Sequence, residues 1–182
     1  RSILLETFRN SGKAVLLGSS SFWQGVDVIG SEAYYRGEQA VVVARDGRLS
    51  SADLAAAMIR GLKATGRDVK DLGQLPTPLL YFATEHLNIN SGVMVTGSHN
   101  PPDYNGFKMT LNKGPVFGDE IQNIRKIIES GDFETGSGSV TSESIIDQYI
   151  EHIVNNITIE NPIKVVVDSG NGAGSLAAHK LF

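Results

Sequence analysis

The 182-residue sequence has no cysteine, only six prolines, one tryptophan, and 7% aromatic residues in all. Without thiols there is no disulfide framework, thiolate zinc site, iron–sulfur cluster or cysteine nucleophile. Long hydrophobic runs are missing as well. Nothing approaches the ~18 uninterrupted apolar residues of a membrane helix, and the longest early run, Ala14 to Leu17, is too short for a signal-peptide core. These absences predict a cytoplasmic chain with no membrane partner. An excess of positive charge is also lacking: 16 Lys plus Arg stand against 20 Asp plus Glu, a net charge of -4. A nucleic-acid partner is therefore not expected, because such binding draws on a basic face and on counterion release. What is present is 41% hydrophobic and 20% charged residues, with 20 glycines. A globular chain of this length hides roughly 70% of the surface its unfolded form exposes, enough for a core without covalent staples. Composition leaves a small-molecule enzyme or a binding domain.

From residue 40 onward, short β-branched runs alternate with longer amphipathic stretches, the pattern of an α/β fold. Ala40 to Ala44 reads as a buried strand, and Arg45 to Arg48 as the turn after it. Ser51 is placed to cap a helix with Leu54, Met58 and Leu62 on one face, and Gly66 to end it. Asp68 to Gly73 predicts a second strand, Leu79 to His86 a helix, and Ser91 to Val95 and Phe107 to Leu111 further strands. Asp119 to Ser130 carries Ile121, Ile124 and Ile128 on one helical face and stops at Gly131. Gly136 to Ser139 is the best linker candidate, which sets a boundary near residue 143. Beyond it, Ile145 to Ile157 predicts a helix, Lys164 to Asp168 a buried strand, and Gly170 to Gly174 a structural turn before a last helix. The expected organisation is a mixed β-sheet sandwiched by helices over 1–143, followed over 144–182 by the beginning of a second, similar α/β domain.

Thr96-Gly97-Ser98-His99-Asn100-Pro101-Pro102-Asp103-Tyr104-Asn105-Gly106-Phe107-Lys108 carries the most chemistry. It has no apolar periodicity and is rich in turn formers, so it predicts an ordered loop between two strands. A serine follows a buried strand, with glycine and an imidazole beside it and an ammonium ten residues on. Serine is a weak nucleophile that needs a base, a cationic environment or a metal to accept or release a phosphoryl group. His99, Lys108 and a divalent ion can fill those roles. Equally, Ser98 can cap a turn, His99 can be an ordinary loop histidine and Lys108 an exposed strand residue. Gly97, Asn100, Pro101, Asn105 and Gly106 are read as shaping the loop. Arg45 and Arg48 either meet phosphate through their guanidinium forks or brace the turn by pairing with Asp46.

The thirteen residues from Thr96 to Lys108 resemble the phosphoserine loop of the α-D-phosphohexomutases, particularly the bacterial phosphomannomutase/phosphoglucomutase branch. Arg45 to Ser50 is similar to that family's first arginine-rich loop, Pro76-Thr77-Pro78 to its proline-bracketed turn, and Val165 to Gly172 to the strand and glycine loop that open its second domain. The likeness covers roughly 31–182. It implies that the serine matched by Ser98 carries a phosphate and donates it to a hexose phosphate. A hexose 1,6-bisphosphate forms, and the serine then takes back the other phosphate. The net result is isomerisation between 1-phosphate and 6-phosphate of mannose or glucose. It also implies Mg²⁺ held by the phosphate on Ser98 and by aspartates of the second domain, and a role for Lys108 in proton transfer or charge stabilisation.

Two departures qualify the resemblance. Phe8-Arg9 is followed by Asn10-Ser11-Gly12-Lys13 rather than by the family's Tyr-Asp-Ile-Arg-Gly motif, and the family's metal, sugar-specificity and second phosphate loops are not found in these 182 residues. The chain is accordingly expected to work with the remaining domains of the same enzyme and to be inactive or nearly so alone. Phosphoglucosamine mutase is the alternative within the family, and a non-catalytic binding protein that retains the fold is the alternative outside it.

Overall fold

Val41, Val42 and Val43 are wholly buried, because the strand that holds them, β1 (Ala40–Arg45), has a parallel neighbour on each side and a helical layer on each face. The structure, a computed structural model, describes residues 37–182, so the Ala14 to Leu17 run and the Phe8-Arg9 departure lie outside the described residues. β1 leads through α1 (Ser51–Ala64) into β2 (Asp68–Gln74), which pairs on one edge of β1. The chain then passes through α2 (Thr77–His86) into β3 (Gly92–Val95), which pairs on the other edge. Two parallel crossovers of one hand that run in opposite directions across the sheet, from β1 to β2 and from β2 back past β1 to β3, must lie on opposite faces of the sheet. They do: Met58 and Leu62 of α1 pack with Val41 and Val43, whereas Leu79, Leu80 and Ala83 of α2 pack with Val42 and Ala44.

β4 (Phe107–Leu111) returns antiparallel to β3, and a short β5 (Gly114–Pro115) closes that edge. α3 (Asp119–Ser130) buries Ile124 on the α1 face and stops at Gly131, whose φ of 69° is the left-handed helix stop. β6 (Val140–Ser142) completes the sheet in the order β5-β4-β3-β1-β2-β6. The architecture is a mixed six-stranded sheet between helical layers, as the alternating pattern predicts. Among the described residues, no helix is long and apolar enough to cross a membrane.

Three expectations need correction. Ser51 is the first residue of α1, with Ser50 at the cap position, and the Ser51 hydroxyl donates to Asp46. The expected linker is a fitted strap. The N–H groups of Gly136 and Gly138 donate to the carbonyls of Ala64 and Lys63, at 2.7 and 2.9 Å, at the end of α1, where the Lys63 carbonyl also accepts the Gly66 N–H. Glycine is needed there because a methyl group on Gly138 would lie 2.0 Å from the Arg67 carbonyl oxygen. Third, Lys164 to Asp168 is not a strand. No described residue offers it a ladder, and it runs exposed, with Val166 98% accessible.

The division expected at residue 143 falls between β6 and α4 (Ile146–Asn156). Ile145 enters the α2 face of the core, and Tyr149 sets its ring edge-on to Phe82 with centroids 5.3 Å apart. α5 (Ser175–Leu181) rests on α4, where Lys180 Nζ lies 2.7 Å from Asp147.

The strap carries a measurable consequence. Gly138→Ala is expected to lower unfolding free energy by about 1–3 kcal/mol, since backbone must shift to admit the methyl group. Urea titration of the two proteins checks this, and an unchanged midpoint would mean that 136–139 behaves as a free linker.

Candidate active site

At the carboxyl ends of the adjacent strands β1 and β3 the chain departs to opposite sides, toward β2 from β1 and toward β4 from β3, and an open α/β sheet leaves a crevice at such a point. The loop after β1 and the loop after β3 start there side by side: Arg45 is paired with Val95, and the Asp46 N–H donates to the Val95 carbonyl at 2.9 Å. Asp46 then gathers both loops. Its Oδ1 accepts from the Arg48 N–H (3.0 Å) and the Ser51 hydroxyl (2.5 Å), and its Oδ2 from Arg48 Nε (3.1 Å), the Thr96 hydroxyl (2.8 Å) and the Gly97 N–H (3.3 Å). Burial alone would raise the Asp46 carboxyl. Hydrogen bonds from Ser51, the Arg48 N–H and Thr96, with the Arg48 charge, outweigh it and hold the carboxyl below its ordinary value.

From that anchor the Arg48 guanidinium reaches across to the second loop. Nη1 donates to the carbonyls of Pro101 (2.6 Å) and Tyr104 (3.1 Å), and Nη2 to those of Ser98 (2.9 Å) and Asn100 (2.8 Å). With Nε on Asp46, all five guanidinium donors are engaged. Of the two readings open for Arg48, turn brace or phosphate contact, the geometry is that of the brace. Gly97 is where the guanidinium passes beneath the loop: a methyl group there would sit 2.5 Å from Arg48 Cζ and Nε and 2.6 Å from the Tyr104 carbonyl oxygen. Asn105 ties the far end of the loop to α1, its Nδ2 donating to the hydroxyls of Ser50 and Ser51 at 2.9 and 2.8 Å while its Oδ1 accepts the Gly106 N–H. Gly106 shapes the loop through its backbone, since a methyl group there meets only an ordinary contact, 3.6 Å from the Thr96 carbonyl oxygen.

Ser98 stands at the exposed tip with a left-handed backbone, φ 54°. For a residue with a Cβ that conformation costs roughly 1–3 kcal/mol and persists only where surroundings impose it. Here the Ser98 N–H donates to Thr96 Oγ1 and its carbonyl accepts from Arg48. Because β4 runs antiparallel to β3, with Met94 opposite Lys108, the chain brings Lys108 back beside the loop. Its Nζ donates to Ser98 Oγ at 3.4 Å. A hydroxyl and an ammonium are thus adjacent, open to solvent, on a loop fixed from below.

Other expected site residues fall elsewhere. The His99 side chain is exposed and has no hydrogen bond among the described residues. Arg45 makes two long contacts, to the Asp46 carbonyl (3.3 Å) and Gln74 Oε1 (3.5 Å), away from the loop that Arg48 holds. For Mg²⁺, no three His, Asp or Glu side chains gather into a site among the described residues. Their fit is to a single oxygen contribution at Ser98, not to a whole coordination shell. Sequence reasoning missed Thr96 and Ser51 as site residues and gave Asp46 only a local pairing. Asp46, directly followed by Gly-Arg in a strand-terminating turn, was the available signal.

Fold and site together define a doubly wound α/β/α domain that presents a serine on a preorganised switch-point loop and a lysine beside it on the next strand. Residues 23–135 match the family model described as phosphoglucomutase/phosphomannomutase, alpha/beta/alpha domain I, beginning somewhat before residue 31, where the likeness was expected to start. A phosphomannomutase/phosphoglucomutase of Pseudomonas aeruginosa is 45% identical over 92% of this chain and 36% of its own length. A "probable phosphoglucosamine mutase" of Pyrococcus furiosus is 43% identical over 79% of this chain and 33% of its own. A phosphoglucomutase/phosphomannomutase family protein of Burkholderia thailandensis superposes with a TM-score of 0.85 at 44% identity, covering 92% of this chain and 39% of that one. The chain belongs to the phosphoglucomutase/phosphomannomutase family. It spans about a third of the length of the curated relatives it matches.

Two outcomes follow from the packing and charge at the site. Gly97→Ala is expected to destabilise by about 1–3 kcal/mol, against under about 1 kcal/mol for Gly106→Ala, as measured by denaturant unfolding. Because the folded Asp46 carboxyl lies below the ordinary 3.8, its stabilisation is full above that value and is lost as pH falls through the folded pKa. Asp46→Asn is therefore expected to flatten the acid limb of the stability curve below about pH 4, leaving the part due to Asp68, which the N–H and hydroxyl of Ser139 also hold low. Parallel acid limbs for the two proteins would contradict the assignment.

Proposed function

We propose that this chain is the serine-bearing part of a hexose-phosphate mutase, in which Ser98 carries the phosphoryl group that shuttles between sugar positions. The observation that carries the reading is Ser98 Oγ held 3.4 Å from Lys108 Nζ on a braced loop, in a chain that belongs to this family. Phosphoryl transfer asks little covalent work of a protein and much positioning and charge stabilisation. In the proposed cycle the O–P bond at Ser98 breaks as a free hydroxyl of a hexose monophosphate attacks phosphorus, giving a hexose 1,6-bisphosphate. After the sugar turns over, Ser98 Oγ attacks its other phosphate, the bond from that phosphorus to the sugar oxygen breaks, and the product hexose monophosphate leaves with that oxygen protonated to a free hydroxyl and the phosphoserine regenerated. Lys108 offsets charge on Oγ and the transferring group or carries the proton of the reacting sugar hydroxyl. His99, exposed next to Ser98, is available to the substrate side of the loop, and Arg45 is the arginine here with donors less firmly committed.

Mg²⁺, when bound, supplies a hard cation for phosphate oxygens, and the phosphate on Ser98 is the oxygen source this chain offers it. The other metal ligands, the sugar-specificity contacts and the second phosphate clamp belong in this proposal to remaining domains of the same enzyme, acting in the cytoplasm. Mannose and glucose phosphates are the favoured substrates. Phosphoglucosamine is a second reading, favoured by the 43% identity to the Pyrococcus furiosus relative.

Incubating the enzyme that contains this chain with glucose 1,6-bisphosphate and mapping its peptides by mass spectrometry is expected to place a phosphate on Ser98. A phosphate on Ser91 or Thr96 instead would overturn the assignment, and no phosphate anywhere would favour a binding protein. Assays with glucose, mannose and glucosamine 1-phosphates then separate the two sugar readings. Lys108→Ala is expected to lower kcat by about 10² or more with little change in Tm. Retained activity with a lowered Tm would make Lys108 a structural contact.

A further inference from the structure

We propose that Arg48, anchored by Asp46, is a positioning residue for Ser98: it aims the serine at Lys108 without touching phosphate. The inference rests on the mutase reading for its kinetic consequence, although the geometry behind it does not. Four of the five Arg48 N–H groups enter carbonyls of a single loop, at Ser98, Asn100, Pro101 and Tyr104, and the fifth returns to Asp46. A guanidinium so engaged has no donor left for a phosphate oxygen. The four carbonyls converge on one planar group only if the loop is folded back on itself, so the guanidinium templates the turn.

Ser98 itself is held at both backbone ends, and both ties lead to Asp46. On one side its carbonyl accepts from Arg48 Nη2, while Arg48 Nε sits on Asp46 Oδ2. On the other its N–H donates to Thr96 Oγ1, and the Thr96 hydroxyl donates to that same Oδ2. These two ties impose the left-handed conformation at Ser98, and that conformation sets where Oγ stands relative to Lys108. The fork is essential. A lysine at this position keeps the charge but offers a compact three-donor ammonium that cannot serve four carbonyls and a carboxylate in one plane.

The test compares wild type with Arg48→Lys and Arg48→Ala in the enzyme containing this chain, using two readouts. Amide hydrogen exchange in the 97–106 segment is expected to accelerate roughly tenfold or more in both variants, while the α2 and β1 segments stay protected. With glucose 1-phosphate as substrate, kcat is expected to fall by about 10² in Arg48→Lys with KM within about twofold, because misplacement acts on transfer and not on binding. Added guanidinium is expected to restore part of the Arg48→Ala loss. Unchanged exchange in 97–106 together with a KM raised tenfold or more at near-normal kcat would overturn the proposal and place Arg48 on the substrate's phosphate. The exchange readout separates the two hypotheses. If wild type takes up no phosphate the mutase reading fails, and slow exchange that Arg48→Lys leaves unaltered sinks the positioning role whatever the activity.

Discussion

The carboxylate of Asp46 is the fixed point of the domain's functional end. It sits one residue past the central strand, partly buried, and takes five hydrogen bonds from α1, its own turn and the loop after β3. Charge-assisted bonds of this kind are each worth roughly 1.5–3 kcal/mol, more than neutral ones, and they are mutually dependent because one carboxylate orders all the donors. The Arg48 guanidinium inherits its orientation from this group and passes it to the four carbonyls of the serine loop. An exposed loop with two prolines, two glycines and little apolar content would otherwise have no reason to hold one shape.

The sheet determines why the two loops meet at all. β2 and β3 flank β1, and the chain leaves β1 toward β2 but leaves β3 toward β4 on the other side, so the connections leaving β1 and β3 part from each other and open a crevice above two adjacent strand ends. The antiparallel return of β4 adds the lysine, since the register that pairs Met94 with Lys108 brings the side chain back over the strand end where the serine loop begins. Serine and lysine thus come from two ends of one excursion, and the brace comes from a second loop. A site assembled in this way is suited to a reaction whose catalysis lies in placement and charge.

At the opposite end, the strap and β6 show how a glycine-serine stretch becomes fixed structure. The N–H groups of Gly136 and Gly138 meet carbonyls at the end of α1, and the chain then enters the sheet beside β2. Ile145 and Tyr149 extend the packing into α4. Past α4 the support ends, and Val165, Val166 and Val167 run exposed although their composition is that of a buried strand.

Much of this was legible in the residues themselves. Apart from the two-residue β5, the strands and helices from 40 to 130 follow from periodicity, because burial on one face or two leaves an imprint on which positions are apolar. The serine loop was legible because glycine, proline and asparagine fix backbone geometry locally, and its likeness to a known family loop followed from that local density. The hydrogen-bond partners of Arg48 were not: pairing with Asp46 and contact with phosphate both fit the same six residues, and the carbonyls it meets come from a loop fifty residues away, folded over the guanidinium. The strap at 136–139 likewise has a linker's composition, and what makes it structural is the end of α1, which lies over seventy residues back in the chain. Strand composition at 164–168 meets the reverse fate, since a β-branched run becomes a strand only when another strand supplies its hydrogen bonds. Local conformational preference and burial pattern are written in sequence; hydrogen-bond partners brought from far along the chain are settled only when the sheet has set which loops are neighbours.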